Sequence, residues 1–301
     1  LKHKTIERYK DVPGFMTEKA DLLDRQQLIK VIKGATHVYL CIGLPYTSEI
    51  WTRDWPLVMS NVIEACIKSN TKLIFFDNVY MYGPAPLSIP FNEDHPQLPQ
   101  TKKGKARKVT TDLLLAAIYE KKIQAVIGRS ADFYGPHAVN SSFYISFLER
   151  MLCKKNPQLL SKTDVPHTYA YTKDNARALV ALACDESTYG QIWYLPVGAP
   201  VTMSQILHIF NLERKTNYTA NVAPKLIQKI LSLFIKPIRE VQEMLYQFDY
   251  PYVMSSSKFM DKFPEFIVTT YQDGIKEMIT SFEKQGMSKH KKVEKIGNTT
   301  N

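Results

Sequence analysis

HVYLCIG at residues 37–43, WPLVMSNVIEACIKSN at 55–70 and KLIFFDNVYMYG at 72–83 decide the fold. The first and third are apolar runs of strand length, and the middle one spaces its apolar residues as a helix does. Strand, helix and strand in that order make the βαβ unit of a parallel sheet. The alternation extends in both directions. Upstream, DRQQLIKVIKG (24–34) reads as a helix that Asp24 caps and Gly34 closes. Downstream, VTTDLLLAAIYEKK (109–122) is the next helix, AVIGRSADFYGP (125–136) the next strand and loop, NARALVALACD (175–185) another helix, and QIWYLPV (191–197) a further strand. From about residue 199 the texture changes, and TMSQILHIFNL (202–212), PKLIQKILSLFIKPIREVQEMLYQF (224–248) and YQDGIKEMITSFEKQ (271–285) are helix-like with few strand signals. The expected class is α/β with a parallel sheet and an appended, mainly helical subdomain.

The composition suits such a globule. With 301 residues, 45% hydrophobic and 23% charged, collagen-like, low-complexity and wholly disordered classes are excluded. No apolar run reaches the roughly 18 residues of a membrane span. Cys41, Cys66, Cys153 and Cys184 are too far apart for a CxxC pattern and read as reduced core thiols. No secretory apolar segment is present, so the sequons at Asn140, Asn217 and Asn298 read as chance matches and a cytoplasmic location is expected. The seven histidines are scattered, and no metal site is expected.

The net charge of +10 is concentrated in three stretches. Lys102, Lys103, Lys105, Arg107 and Lys108 form the first, Lys225, Lys229, Lys236 and Arg239 the second, and residues 283–301 the third. Outside them the chain is close to neutral, which argues for a local anion site and against a nucleic-acid partner. The segment KLIQKILSLFIKPIREV is basic on one side and apolar on the other, a pattern that suits a membrane surface. Pro237 interrupts it, and the expectation is core packing, with no membrane partner.

HVYLCIGLPY, Asn61 within VMSNVIEAC, KLIFFDNVYMYGP, RSADFYGP, and DNARAL followed by YGQIWYLPVGAP resemble, in that order, the extended and atypical short-chain dehydrogenase/reductases of the NAD-dependent epimerase/dehydratase family. The similarity covers roughly residues 19–282. It implies a doubly wound, Rossmann-like sheet that carries NAD or NADP across the carboxyl ends of its strands. The C-terminal part would hold a small carbonyl, hydroxyl or sugar-nucleotide substrate. On this layout residues 1–135 and about 168–198 form the NAD(P)-binding domain, 136–167 and 199–282 a substrate subdomain, and 283–301 a disordered basic tail. The resemblance also allows a homodimer.

The chain departs from the family pattern at its start. The family opens on a strand, a GxxGxxG turn and a helix whose amino end stabilises the pyrophosphate. Here the first glycines are Gly14 and Gly34, and the chain begins at Leu1 with its first methionine at Met16. The expectation is that about 30–40 residues precede it, and that a sheet without their central strand exposes two unpaired edges.

The resemblance carries over to the site position by position. Asp21 and Leu22 of KADLLD fall where the adenine is received, a helix N-terminus being the alternative. Cys41, Ile42 and Gly43 would line the dinucleotide, as would Ser130, Ala131, Asp132 and Phe133 of the RSADFYGP loop. A loop from Pro45 to Trp55 would set Tyr46 and Trp51 as walls of the substrate pocket, with Tyr134, His137 and His167 nearby. Active members use a tyrosine, a lysine four residues later and a Ser or Thr on the neighbouring strand. This chain puts Lys103, Arg107 and Asn78 at those three positions. In one reading Arg107 lowers the Lys103 pKa so that an amine replaces the phenol, and Asn78 bonds a substrate carbonyl. Tyr80 then offers a phenol on the same face, two residues along. In the other the proton relay is lost and the basic cluster binds cofactor phosphates or an acidic ligand, which describes a non-catalytic redox sensor or assembly partner.

Overall fold

The computed structural model describes residue 9 and residues 11–297, with side chains as far as residue 284. The chain runs α1 (Arg25–Ile32), β1 (His37–Leu40), α2 (Ser48–Ser69), β2 (Lys72–Asp77), α3 (Lys102–Tyr119) and β3 (Ala125–Arg129). Next come β4 (Asp132–Tyr134), α4 (Glu149–Leu152), β5 (Gln158–Leu159), β6 (Tyr169–Tyr171), α5 (Thr172–Cys184) and β7 (Ile192–Tyr194). The last part holds α6 (Met203–Arg214), β8 (Asn221–Val222), α7 (Lys225–Phe234), α8 (Lys236–Gln242), α9 (Tyr246–Asp249), α10 (Ser257–Lys262) and α11 (Tyr271–Gly297).

β1, β2, β3 and β7 form one parallel sheet in that spatial order, with Val38 opposite Leu73, Ile74 opposite Val126 and Gly128 opposite Trp193. Successive side chains of a strand point to opposite faces, so Leu73 and Phe75 meet Trp55, Val58, Val62 and Leu114 of α2 and α3. Ile74 and Val126 meet Leu179 and Leu182 of α5 and Phe259 of α10 on the other side. Helices on both faces of an all-parallel sheet define the doubly wound, Rossmann-like class expected from the sequence. The four strands are uninterrupted, and β1 and β7 are the edges. A separate core joins Tyr134, Phe143, Phe147 and Tyr169 to Ile206 and Phe210 of α6 and Ile275 and Met278 of α11.

Several elements differ from expectation for physical reasons. Asp24 caps α1, accepting from the Gln26 and Gln27 amides, and Gly34 has φ +84°, both as expected. α2, however, starts at Ser48 and carries Pro56 inside it. A proline usually marks a first turn, but here burial of Trp51 and Trp55 holds the preceding turns helical, so neither tryptophan is on a loop. Likewise α3 begins at Lys102, where the Thr101 hydroxyl accepts from the Gly104 amide. A Cβ on Gly104 would lie 2.5 Å from the Tyr80 carbonyl oxygen, so glycine lets this helix abut the end of β2. The run TKKGKARK therefore does not form a uniformly solvated face, because Lys103 and Arg107 are buried.

Only Cys66 is a core thiol; Cys41, Cys153 and Cys184 are exposed, at the open end of β1, after α4 and at the end of α5. The expected tail at 283–301 is helical as far as Gly297, consistent with the good helix propensity of its Lys, Glu, Gln and Met residues. Residues 298–301 lie outside the described residues.

The largest correction concerns the basic, amphipathic segment. α7 does not bury its apolar side: Gln228 and Ser232 are its buried residues, while Leu226, Ile227, Ile230, Leu231, Leu233 and Phe234 are exposed. Gln228 Nε2 donates to the carbonyls of Leu160 at 2.9 Å and Ala223 at 2.7 Å, which satisfies the amide in the interior and pins the helix polar side inward.

Candidate active site

The segments that follow β1 and β2, the first turns of α2 and α3, and the α8–α9 segment meet around Tyr46, Trp51, Tyr80 and Lys103, and this meeting point is the candidate cleft, with α8–α9 as its cover. β2 ends at Asp77, so Tyr80 sits in the following turn and not on the strand face expected. Asn78 Oδ1 accepts from the Tyr80 amide at 3.1 Å, which fixes that turn. Tyr80 stacks on Trp51 with centroids 5.7 Å apart and an interplanar angle of 18°. Tyr46 packs edge-on to both rings, and its hydroxyl donates to the Tyr80 oxygen at 3.4 Å. Tyr46, Trp51, Asn78 and Tyr80 are thus brought together.

Lys103 joins them, but as part of an ion-pair cluster. Its Nζ is fully buried and donates to Glu240 Oε2 at 2.6 Å, the Glu240 carbonyl at 2.8 Å and Glu243 Oε1 at 2.7 Å. It also lies 4.6 Å from the centroid of the Tyr46 ring. All three of its hydrogens are committed, so proton exchange with a substrate would first require α8 to move. Glu240 also accepts from the Ser48 amide and hydroxyl, each at 2.7 Å, tying α8 to the start of α2. Burial raises the Glu240 pKa, but the bonds from Lys103 and Ser48 outweigh it and hold the carboxyl at about 2.

Arg107 faces the sheet and not Lys103. It pairs with the buried Asp77, stacked 4.0 Å over the Trp55 ring. Asp77 also accepts from Arg129 Nε at 3.0 Å, Thr111 Oγ1 at 3.0 Å and the Asn78 amide at 2.8 Å. Burial raises the Asp77 pKa, yet the two guanidinium groups outweigh burial and leave it below the ordinary value. Of the first basic stretch, Lys108 is paired with Asp112, and Lys102 and Lys105 are exposed. A single anion-binding cluster at this run is therefore not formed: its two buried cations are each claimed by carboxylates.

Asp132 and His167 form a second pair on the same side, with Oδ2 and Nε2 3.4 Å apart. His167 is buried, stacked on Phe248 at 5.0 Å and 7° and on Tyr252 at 5.5 Å and 18°. Asp132 Oδ2 and His167 Nδ1 have no hydrogen-bond partner, nor do Thr47 Oγ1 and the indole nitrogens of Trp51 and Trp55. Of these, the Trp51 nitrogen lies in the ring cluster with Tyr46 and Tyr80, and Asp132 is near enough to act on both phenols, whereas Trp55 packs on Phe75 and Arg107; Ser142, Asn175, Tyr194 and Arg214 also carry unpartnered buried atoms. Burial raises the Tyr80 pKa well above its ordinary value, with Tyr46 and the Asp132 charge adding to it. Burial and Asp132 act on Tyr246 in the same direction, against a bond from Gln247.

The remaining positions are scattered. Cys41 and Gly43 are exposed at the end of β1, beside half-buried Ile42, and a Cβ on Gly43 would meet nothing within 4 Å. Asp21 closes a turn by accepting from the Leu23 amide, and the Leu22 carbonyl accepts from Asn61 Nδ2 at 3.1 Å while its side chain packs on the first core. Ser130 and Ala131 are buried, Ser130 Oγ accepting from Asn175 Nδ2 at 2.8 Å, whereas Phe133 is exposed against Phe76. Tyr134 belongs to the second core, away from the cleft, because β4 turns its ring onto Phe143 and Tyr271. His137, at φ +61°, sits by Phe282 and is likewise not brought to the cleft. Glu240, Glu243 and Tyr246 had no sequence signal of their own; each follows Pro237, where only a broken basic helix was legible.

Residues 2–193 match the model of the NAD-dependent epimerase/dehydratase family. The chain belongs to that family, a family of NAD-dependent enzymes. No curated protein matches it. Among solved structures it is similar to a double mutant of DesIV, the dTDP-glucose 4,6-dehydratase of Streptomyces venezuelae with NAD and DAU bound, at TM-score 0.75 and 12% identity over 92% of this chain and 82% of that one. The UDP-glucuronic acid 4-epimerase of Bacillus cereus in complex with NAD gives TM-score 0.71 and 16% identity over 88% and 80% of the two chains. The Bordetella bronchiseptica enzyme WbmH in complex with NAD+ gives 0.71 and 19% over 93% and 86%. At these identities the likeness is one of fold. No helix among the described residues is long and apolar enough to cross a membrane.

Proposed function

We propose that this protein is an NAD(P)-dependent oxidoreductase or epimerase/dehydratase of the atypical short-chain reductase kind, acting on a small carbonyl, hydroxyl or sugar-nucleotide substrate. The Tyr46, Trp51 and Tyr80 rings beyond the carboxyl ends of the strands, with the unpartnered Trp51 nitrogen among them and Asp132 near enough to act on the Tyr80 phenol, carry the reading. The open backbone at Cys41–Gly43 suits a dinucleotide lying across the strand ends. The glycine-rich turn that would hold its pyrophosphate is not in this sequence, so these residues account for the rest of the site only. When bound, the nicotinamide supplies or takes the hydride. The Tyr80 phenol, held protonated by burial and Asp132, donates a hydrogen bond or proton to the substrate oxygen, with Tyr46 orienting it. Asp132 and His167 offer the acceptor side. Residues 136–167 and 199–282 hold the substrate, the free thiols fit a reducing cytoplasm, and exposed Leu57, Val109 and Leu113 on α2 and α3 are the face a homodimer would use.

Calorimetric titration with NAD and NADP, followed by a substrate screen on nicotinamide absorbance, tests this. Tyr80→Phe and Asp132→Asn should each cut turnover about 100-fold or more with cofactor affinity kept within a few-fold. The commitment of Lys103 and Arg107 to carboxylates favours a second reading, a dinucleotide-binding protein without turnover. Under it the cofactor binds, no substrate shows hydride transfer, and both substitutions change binding alone.

A further inference from the structure

We propose that α7 is an interfacial helix that seats this protein on an anionic lipid bilayer, a role beyond the function proposed above. The helix is inverted relative to a core helix. Gln228 and Ser232, four residues apart on one side, are the buried ones, and Gln228 is fixed there by its two carbonyl partners. Opposite them Leu226, Ile230, Leu233 and Phe234 are exposed at 70%, 50%, 71% and 81%. Ile227, Leu231 and Ile235 widen the patch, and Val222 precedes it. Contiguous exposed apolar surface of this kind marks an interaction site. The helix cannot roll this face inward without breaking both Gln228 bonds.

The charge around the patch selects the occupant. Lys229 borders the apolar face, and Lys236 and Arg239 follow its C-terminal end, all three exposed and without an ion pair among the described residues. Lys225, at the other end, is paired with Asp249. An apolar face rimmed by cations fits the boundary between acyl chains and anionic headgroups, where such a helix lies in the plane of the surface with that face immersed by about 5–10 Å. A second copy of this chain would bring the same cations together and repel at the rim. α8 follows directly and carries Glu240, with Glu243 at its C-cap, so the seated helix would hold the cleft's cover at the membrane.

Flotation of the full chain with vesicles tests the proposal, using phosphatidylcholine alone and phosphatidylcholine mixed with phosphatidylglycerol. Binding to the mixed vesicles is expected, roughly a hundredfold weaker on the neutral ones and weakened again by salt, since three basic residues face the headgroups. Leu233→Glu with Phe234→Glu should abolish flotation while circular dichroism and thermal midpoint stay unchanged, both side chains being exposed. A Lys229→Glu, Lys236→Glu, Arg239→Glu variant should lose the preference for anionic vesicles. Failure of the unmodified chain to float with mixed vesicles overturns the proposal, as does flotation that survives Leu233→Glu with Phe234→Glu. A dimer in sedimentation that the same apolar substitutions convert to monomer would assign the face to a second copy and overturn it as well.

Discussion

Lys103→Met separates a structural cation from a catalytic one. Methionine keeps the length and apolar stem of the side chain and removes the ammonium alone. In the native protein that ammonium satisfies two carboxylates whose side chains are 11% and 21% exposed, Glu240 and Glu243. Without it the two face each other across an apolar stem beside the Tyr46 ring, and removing one partner of a buried ion pair costs about 3–5 kcal/mol. Glu243 retains some water, which places the expected loss near the lower end, about 3 kcal/mol. At roughly 2–4 °C per kcal/mol for a domain of this size the midpoint should fall by about 6–12 °C. Adding Glu240→Gln and Glu243→Gln to Lys103→Met should recover most of that, because the penalty is the stranded charge and not the missing lysine. Thermal unfolding followed by far-ultraviolet circular dichroism reads both effects. A midpoint within a degree of the unmodified protein, or a triple variant no more stable than the single one, would refute the ion-pair account. Loss of turnover at an unchanged midpoint would return Lys103 to the proton relay.

The other predictions concern the cluster below the cleft, the cover and the glycine between them. Asp77→Asn strands two guanidinium groups that are 2% and 0% exposed, Arg107 and Arg129, and should cost about 3–5 kcal/mol in denaturant unfolding, more than the same change at exposed Asp112. Glu240, whose pKa falls from 4.5 to about 2 on folding, contributes stability present above pH 4.5 and lost as the pH drops towards 2. Glu240→Gln should flatten stability over that acid window in unfolding titrations while also lowering it at neutral pH. Gly104→Ala puts a Cβ 2.5 Å from the Tyr80 carbonyl oxygen, so α3 must shift by tenths of an ångström, costing about 1–3 kcal/mol and disturbing the Tyr46–Tyr80 contact, which a tyrosine fluorescence change would report.

The sheet was legible because its signal is local and repeated. Each of β1, β2, β3 and β7 is an apolar run with a helical segment beside it, and the parallel order follows from that alternation alone. The helix starts were less legible. Pro56 and the basic run at 102–108 are local signs of an end or a solvated turn, and tertiary burial of Trp51, Trp55, Lys103 and Arg107 overrode both. The orientation of α7 was illegible in principle, since periodicity reports that one side is apolar without saying which side faces the protein. What turned it outward is a pair of bonds from Gln228 to carbonyls 68 and 5 residues away in the chain, a contact with no pattern in the sequence.

The same distinction governs the cleft. Lys103 and Arg107, standing where the family has a tyrosine and a lysine four residues apart, do fall on one turn of α3, near the strand ends. The same spacing suggests that their charges act on each other. Two residues four apart on a helix do lie on the same side, but each long side chain finds the nearest buried carboxylate, and those lie in opposite directions. Asp77 at the end of β2 draws Arg107 down onto the sheet, and Glu240 and Glu243 draw Lys103 up under α8. The helix therefore connects the sheet to the cover through two ion pairs, and any motion of α8 that freed Lys103 would expose two carboxylates at the cleft mouth together with the ammonium. Under the proposed function, proton transfer in the closed arrangement would fall to groups outside these ion pairs, the Asp132–His167 pair and the Tyr46–Tyr80 phenols, and the Tyr80→Phe and Asp132→Asn variants address these directly.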